Sequence, residues 1–206
     1  MIKARHKPFY DWFFKWYSRV MLHFYFREME IHSDVEDDGN AVLVIGNHFS
    51  WWDGFIMVGV NNRLWQRYFN VMMLEEQLQN RMFLNKAGAF SIKKGDRSLI
   101  ESLTYAGELL SDSQNLVLMF PQGEIQTKYT RRFEFEKGVE TILKKSQGKP
   151  QVVFSAALID YFSWKQPRLD VYLQKFSYET IPSTPELQDA YNRFFEEAVQ
   201  QNNVDR

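Results

Sequence analysis

The chain has 206 residues, enough for one domain with a sizeable core, and its 25 Lys and Arg nearly cancel its 26 Asp and Glu. That balance gives no charge argument for a nucleic-acid partner. The absence of Cys excludes disulfides, thiolate nucleophiles and Cys-based metal sites, and it fits a reducing compartment. No apolar run reaches the ~18–20 residues of a membrane span. Lys15 and Arg19 also interrupt what would be the apolar core of a signal peptide. The expected location is cytoplasmic, or cytoplasmic with peripheral attachment to the inner face of a membrane.

Residues 8–28 read as a helix, with Pro8 in its first turn. Phe9, Trp12, Phe13, Trp16, Val20 and Phe24 recur at three- and four-residue spacing. Phe14, Tyr17, Met21 and Tyr25 make the other side apolar too, and basic residues outnumber acidic ones. Two readings stand. A basic helix rich in Trp, Tyr and Phe suits the bilayer interface, and the same pattern suits a helix packed across a core. Residues 29–35 read as a short strand, and Glu36-Asp37-Asp38-Gly39-Asn40 as a turn.

Ala41 to Ile45 is a continuous apolar run, as expected of a strand buried on both faces. It leads through Gly46 into Asn47-His48-Phe49-Ser50-Trp51-Trp52-Asp53, and residues 51–61 read as a short helix. A strand over 68–74 and a helix over 75–85 follow. A short strand then ends in the cations of Lys93-Lys94-Gly95-Asp96-Arg97. Ser98 and Glu101 have capping-box spacing and open a helix over 98–110. Leu116 to Phe120 is a buried strand that stops at Pro121-Gln122-Gly123-Glu124. A helix over 138–145, strands over 151–159 and 169–176, and a helix over 184–199 complete the pattern, with the Gln- and Asn-rich end expected to fray.

Alternating strands and helices predict an α/β fold: a mixed, largely parallel sheet flanked by helices, behind an N-terminal aromatic amphipathic helix. One domain over 1–206 is expected, with residues 1–30 as the interface helix and 31–206 as the core. In such sheets, sites gather beyond the carboxyl ends of strands. The polar stretches at 47–53, 93–97 and 121–124 all follow strand-like runs, which argues for one shared site.

Five residues on an ideal helix turn through ~500°, so His48 and Asp53 would not share a helical face. They meet only if His48 precedes the helix and folds back over its first turn. With Ser50 as N-cap, Asp53 becomes the third helical residue, where the helix dipole favours its carboxylate. Such a carboxylate fixes the imidazole tautomer and leaves the other ring nitrogen free as a base toward a hydroxyl. Backbone N–H groups at the helix start are candidates for an oxyanion. The competing reading is a capping box, Ser50-x-x-Asp53, with His48 as a polar rim residue.

The run Asn47-His48-Phe49-Ser50-Trp51-Trp52-Asp53 resembles the N-H-x-S-x-x-D signature of the glycerolipid acyltransferase family, the lysophosphatidic acid acyltransferase relatives. Gly88-Ala89-Phe90-Ser91-Ile92-Lys93-Lys94 resembles that family's second block, and Phe120-Pro121-Gln122-Gly123-Glu124 its third. Lys137-Gly138 lies where a K-G pair often opens a helix, and residues 151–158 take the place of the fourth block. The likeness covers roughly 41–160. It implies that His48 acts as general base on an acceptor hydroxyl and that Asp53 orients it. The acyl donor would be a thioester of coenzyme A or acyl carrier protein, with no metal and no cofactor beyond that co-substrate. It implies a lipid acceptor and action at a membrane, which adds weight to the interfacial reading of residues 8–28.

Ser50, Lys94, Arg97, Gln122, Gly123 and Glu124 are the candidate substrate-binding residues. Lys94 stands where the family has Arg, and Arg97 is near enough to substitute. Gln122 replaces Glu, Glu124 replaces Thr, and Ile125 stands where Arg is common. These changes weigh against lysophosphatidic acid itself as acceptor and admit an uncharged, zwitterionic, amino-acid-containing or glycosylated lipid. Lys93, Lys94 and Arg97 are either a phosphate site or a solvated strand end. Arg131, Arg132 and Lys137 are either contacts to lipid headgroups or coenzyme A phosphates, or a solvated face. His6, His23 and His32 lack metal-ligand spacing, and Met72-Met73 reads as core or acyl-pocket lining. A lipid-binding protein with altered chemistry and an acyl thioesterase are the alternatives to acyl transfer.

Overall fold

The computed structural model describes residues 1–93 and 98–204. Seven strands form one sheet: β1 (Glu28–Ser33), β2 (Val42–Gly46), β3 (Tyr68–Leu74), β4 (Ala89–Ile92), β5 (Asn115–Met119), β6 (Gln151–Asp160) and β7 (Arg168–Phe176). Their order is β1-β7-β6-β2-β5-β3-β4. Every pairing is parallel except β6 with β7. The expected mixed, largely parallel sheet is therefore present.

The central strands β2 and β5 are buried along their whole length. Their side chains alternate between two apolar layers, as a pleated strand requires. Leu43, Ile45, Val117 and Met119 face one layer with α5 (Ser98–Leu109), α6 (Val139–Lys145) and α7 (Thr184–Val204). Val42, Val44, Leu116 and Leu118 face the other with α1 (Pro8–Tyr25) and α2 (Asp53–Leu64). Each such Val, Leu or Ile contributes about 1.5–3 kcal/mol by leaving water, which is why unbroken apolar runs fix the middle of the sheet.

The strand order also creates the crevice. From β2 the chain crosses by α2 to β3, on the far side of β5. From β5 it crosses by α6 to β6, on the far side of β2. Right-handed crossovers in opposite directions put the two helices on opposite faces. The loops after β2 and β5 therefore diverge at the carboxyl edge, which is where open α/β sheets bind ligands.

Helix α1 is buried on one face and exposed on the other. Phe14, Ser18 and Leu22 are buried, and α1 packs on α2, where Phe14 and Tyr17 both meet Phe55. Phe9, Trp12, Trp16, Phe24 and Tyr25 remain exposed. No helix among the described residues is long and apolar enough to cross a membrane.

Three local readings differ. The helix expected over 75–85 is two short ones, α3 (Glu75–Gln79) and α4 (Met82–Asn85), because Arg81 leaves helical geometry and Asn85 Nδ2 turns inward to donate to Lys3 O and Ala89 O. Helix α7 runs on to Val204 instead of fraying, since Asn202 is buried and its Nδ2 donates to Asp160 Oδ2 at 2.8 Å. The charged stretch 131–137 is clamped by α7 rather than solvated throughout. Asn192 Oδ1 accepts from Phe133 N–H, Gln188 Oε1 accepts from Phe135 N–H, and the Phe133 ring is buried against Tyr191 and Phe195.

Candidate active site

His48 and Asp53 meet as the spacing requires. β2 ends at Gly46, and Asn47 then ties the chain to β6: its Nδ2 donates to Ala157 O and its Oδ1 accepts from Ala157 N–H. His48 lies outside the helix, and its Nδ1 is 2.7 Å from Asp53 Oδ2. The same oxygen accepts from the Phe49 and Ser50 N–H groups at 2.8 and 2.9 Å, while Asp53 Oδ1 accepts from Ser50 Oγ at 2.9 Å. The carboxylate is 3% exposed and the imidazole 24%. Four donors around a nearly buried carboxylate hold it as an acceptor, so His48 Nδ1 carries the proton and Nε2 is left as the free base.

The helix start differs by a residue or two from the expectation. Asp53, not Ser50 or Trp51, opens α2. Ser50 Oγ accepts from Trp52 N–H at 3.0 Å and donates to Asp53, so its hydroxyl holds the turn. The Phe49, Ser50 and Trp52 N–H groups are thus all engaged, which removes them as oxyanion donors.

The loop after β5 completes the setting. Phe120 stacks on the His48 ring, centroids 4.2 Å apart and planes within 10°. Gly123, at φ +70°, gives the tight reversal that a side-chain-bearing residue would resist. Gln122 is buried and does not face the cavity. Its Oε1 accepts from His48 N–H at 2.6 Å and its Nε2 donates to Gln126 Oε1 at 2.8 Å. Gln126 N–H in turn donates to His48 O at 2.9 Å. A closed carboxamide clamp therefore grips the backbone of His48 from both sides. Tyr191 lies behind, with its hydroxyl donating to Ser155 O. Burial, reinforced by the Asp53 charge, pushes its phenol well above the ordinary range, so it stays a donor.

In front of His48 lies a cavity of about 290 Å³. His48, Gly123, Glu124, Glu136 and Lys137 give it polar edges. Phe14 of α1, Phe55 and Val58 of α2, Val71 and Met72 of β3, and Leu84 of α4 give it hydrocarbon walls. The 47–53 and 121–124 stretches thus converge on one site. Ile92, at the end of β4, lines the cavity, but Lys93 does not, and the rest of the 93–97 stretch, including the candidates Lys94 and Arg97, lies outside the described residues. Met72 and Met73 both line the cavity, and Met72 also packs against the core.

Residue reading alone missed Gln126, Phe120 and Asn47 as supports of His48. Phe120 carried a faint signal, an aromatic at a strand end; Gln126 carried none. Elsewhere, Glu30, His32 and Asp170 bring potential ligand atoms together on the outer strands, but the Arg168 guanidinium already bonds both carboxylates and His32 donates to Asp170.

A search of curated proteins finds no match. The family model described as Acyltransferase matches residues 28–156, from β1 through most of β6 and across the whole His48–Asp53 turn and the loop after β5. With well over half of the chain covered, and with the signature residues assembled in one crevice, the protein belongs to the glycerolipid-type Acyltransferase family and carries out acyl transfer to lipid.

Proposed function

We propose that the protein is an O-acyltransferase that moves a fatty acyl group from an acyl thioester to a hydroxyl of a lipid acceptor. The observation that carries this reading is the His48 Nδ1–Asp53 Oδ2 bond of 2.7 Å, made by a half-buried imidazole that lines a largely hydrocarbon cavity. Nε2 of His48 takes the acceptor's hydroxyl proton as its oxygen attacks the thioester carbonyl. A carbon–oxygen bond forms, the carbon–sulfur bond breaks, and the proton on His48 passes to the departing thiolate. Asp53 keeps Nδ1 protonated and stabilises the imidazolium that forms in between. No covalent enzyme intermediate is needed. The cavity walls suit the donor's or acceptor's chain, at about 0.8 kcal/mol per buried methylene.

The donor carrier is coenzyme A or acyl carrier protein. Glu124 at the cavity edge and Ile125 beside it disfavour a phosphomonoester acceptor and favour an uncharged, zwitterionic or amine-bearing lipid. The exposed aromatic stripe of α1 is assigned to the cytoplasmic face of a membrane, as a peripheral contact. The test is His48→Ala in an assay of thiol release from acyl thioesters with a lipid extract as acceptor. Turnover should vanish while the fold persists. Retained turnover would sink the proposal, and thiol release at full rate without any lipid would identify a thioesterase instead.

A further inference from the structure

β6 outruns its neighbour. The register pairs Gly46 of β2 with Ser155 of β6, yet β6 continues to Asp160 before turning into β7. Five residues at ~3.3 Å carry this hairpin roughly 16 Å beyond the strand end that presents His48. Hairpin tips ordinarily take Gly, Asn or Asp. This one carries Tyr161, Phe162 and Trp164, which are 53%, 44% and 56% exposed. Phe162 sits at φ +43°, a conformation costly for a bulky side chain. The tip therefore bears strain and exposed aromatic surface together, and the catalytic pair uses neither.

The tip is bound to two other segments beside the site. The Arg27 guanidinium lies 3.5 Å over the Trp164 ring, Arg27 N–H donates to Pro167 O, and Gln166 Nε2 donates to Phe24 O at the end of α1. Lys128, in the loop after β5, points its ammonium at Tyr129 and Tyr161, 5.3 and 5.9 Å from the ring centres. That loop is the one whose Gln126 N–H grips His48 O, and its Ile125 and Tyr129 are exposed. The rim thus has one chemistry: Tyr and Trp rings interleaved with Arg27, Lys128 and the exposed Lys165, in a chain of net charge −1. Rings with a wet edge and cations beside them match the headgroup level of an anionic bilayer. The shape matches too, since this is a projecting tip and not a groove.

We propose that the β6–β7 tip, the loop after β5 and the end of α1 form a second lipid-contact surface, which turns the His48 edge of the sheet toward an anionic bilayer. This rests on the reading that the acceptor is a lipid, but not on the stripe of α1 being the anchor. The full chain is floated with vesicles of phosphatidylcholine alone or mixed with phosphatidylglycerol. Tyr129→Ser/Tyr161→Ser/Trp164→Ser should lower partitioning on both vesicle types by at least about tenfold. Arg27→Ala/Lys128→Ala should lower it only on the anionic vesicles, by about twenty-five-fold at roughly fivefold per cation. Trp12→Glu/Trp16→Glu tests the α1 stripe separately: if that pair alone abolishes flotation, the rim proposal falls and the α1 anchor stands. If the rim variants lose binding and the α1 pair does not, the rim stands and the α1 anchor falls. Should the triple variant unfold, Trp164→Phe serves, because it must reduce the fluorescence quenched by brominated phosphatidylcholine; unchanged quenching overturns the proposal. So does a parent chain that floats on neither vesicle, which would assign the rim to a protein partner.

Discussion

Asp53→Asn separates the two jobs of one buried carboxylate. Asp53 Oδ2 accepts from His48 Nδ1, Phe49 N–H and Ser50 N–H, and Oδ1 from Ser50 Oγ. Asparagine is nearly isosteric. Its oxygen keeps the three bonds of Oδ2, and its Nδ2 meets a Ser50 hydroxyl able to rotate and accept. What disappears is the charge. Charge-assisted bonds are roughly twice as strong as neutral ones, so stability should drop by about 1–3 kcal/mol, a few degrees to roughly 10 °C in melting temperature for a chain of this size. The rate should fall much further. An imidazolium and a carboxylate ~4 Å apart attract by about 4 kcal/mol at an effective dielectric constant of ~20. That attraction exists only while His48 holds the acceptor's proton, so its loss falls on the transition state and corresponds to about a thousandfold in kcat. The assay is thiol release with a fixed lipid acceptor, with kcat and KM determined separately and a thermal melt recorded on the same preparation. A folded Asp53→Asn chain within tenfold of the parent kcat would refute the electrostatic role, and a large rise in KM alone would assign Asp53 to substrate binding.

The remaining predictions concern the scaffold. Gln122→Glu keeps an acceptor for His48 N–H but loses the donor to Gln126 Oε1 and sets two oxygens against each other. It should cost about 1–3 kcal/mol of stability, and in a double-mutant cycle with Gln126→Ala the coupling should exceed ~0.5 kcal/mol, read by denaturant unfolding. Gly54→Ala and Gly107→Ala should have opposite signs. A Cβ on Gly54 meets nothing within 4 Å, so helix propensity adds up to about 1 kcal/mol. On Gly107 it would lie 2.8 Å from Ile142 O and 2.6 Å from Lys145 Cβ at the α5–α6 contact, so overpacking of about 1–3 kcal/mol prevails.

Much of this molecule is written in short-range pattern. The apolar runs at 41–45 and 116–120 specify β2 and β5, because a strand covered on both faces leaves no room for polar side chains. The Ser50-to-Asp53 turn specifies its own geometry, since closing that turn and orienting His48 use the same carboxylate oxygen. The stretches at 47–53 and 121–124 follow the ends of the neighbouring strands β2 and β5, so these two meet at one crevice.

Other features depend on partners distant in sequence. Gln122 looked like a substrate contact by its place in a motif, yet its amide is used up on His48, 74 residues away, and on Gln126. Asn202 keeps α7 helical to its end only because Asp160 lies beside it, 42 residues earlier. Residues 8–28 were equally consistent with core and with interface. A helix apolar all round does not record which face meets α2, and only the packing of Phe14, Ser18 and Leu22 left the Trp12 and Trp16 side bare. Periodicity fixes what a residue is next to within a turn or two. Which strand lies beside which, and therefore which polar group finds a partner and which aromatic does not, is decided by the assembled sheet.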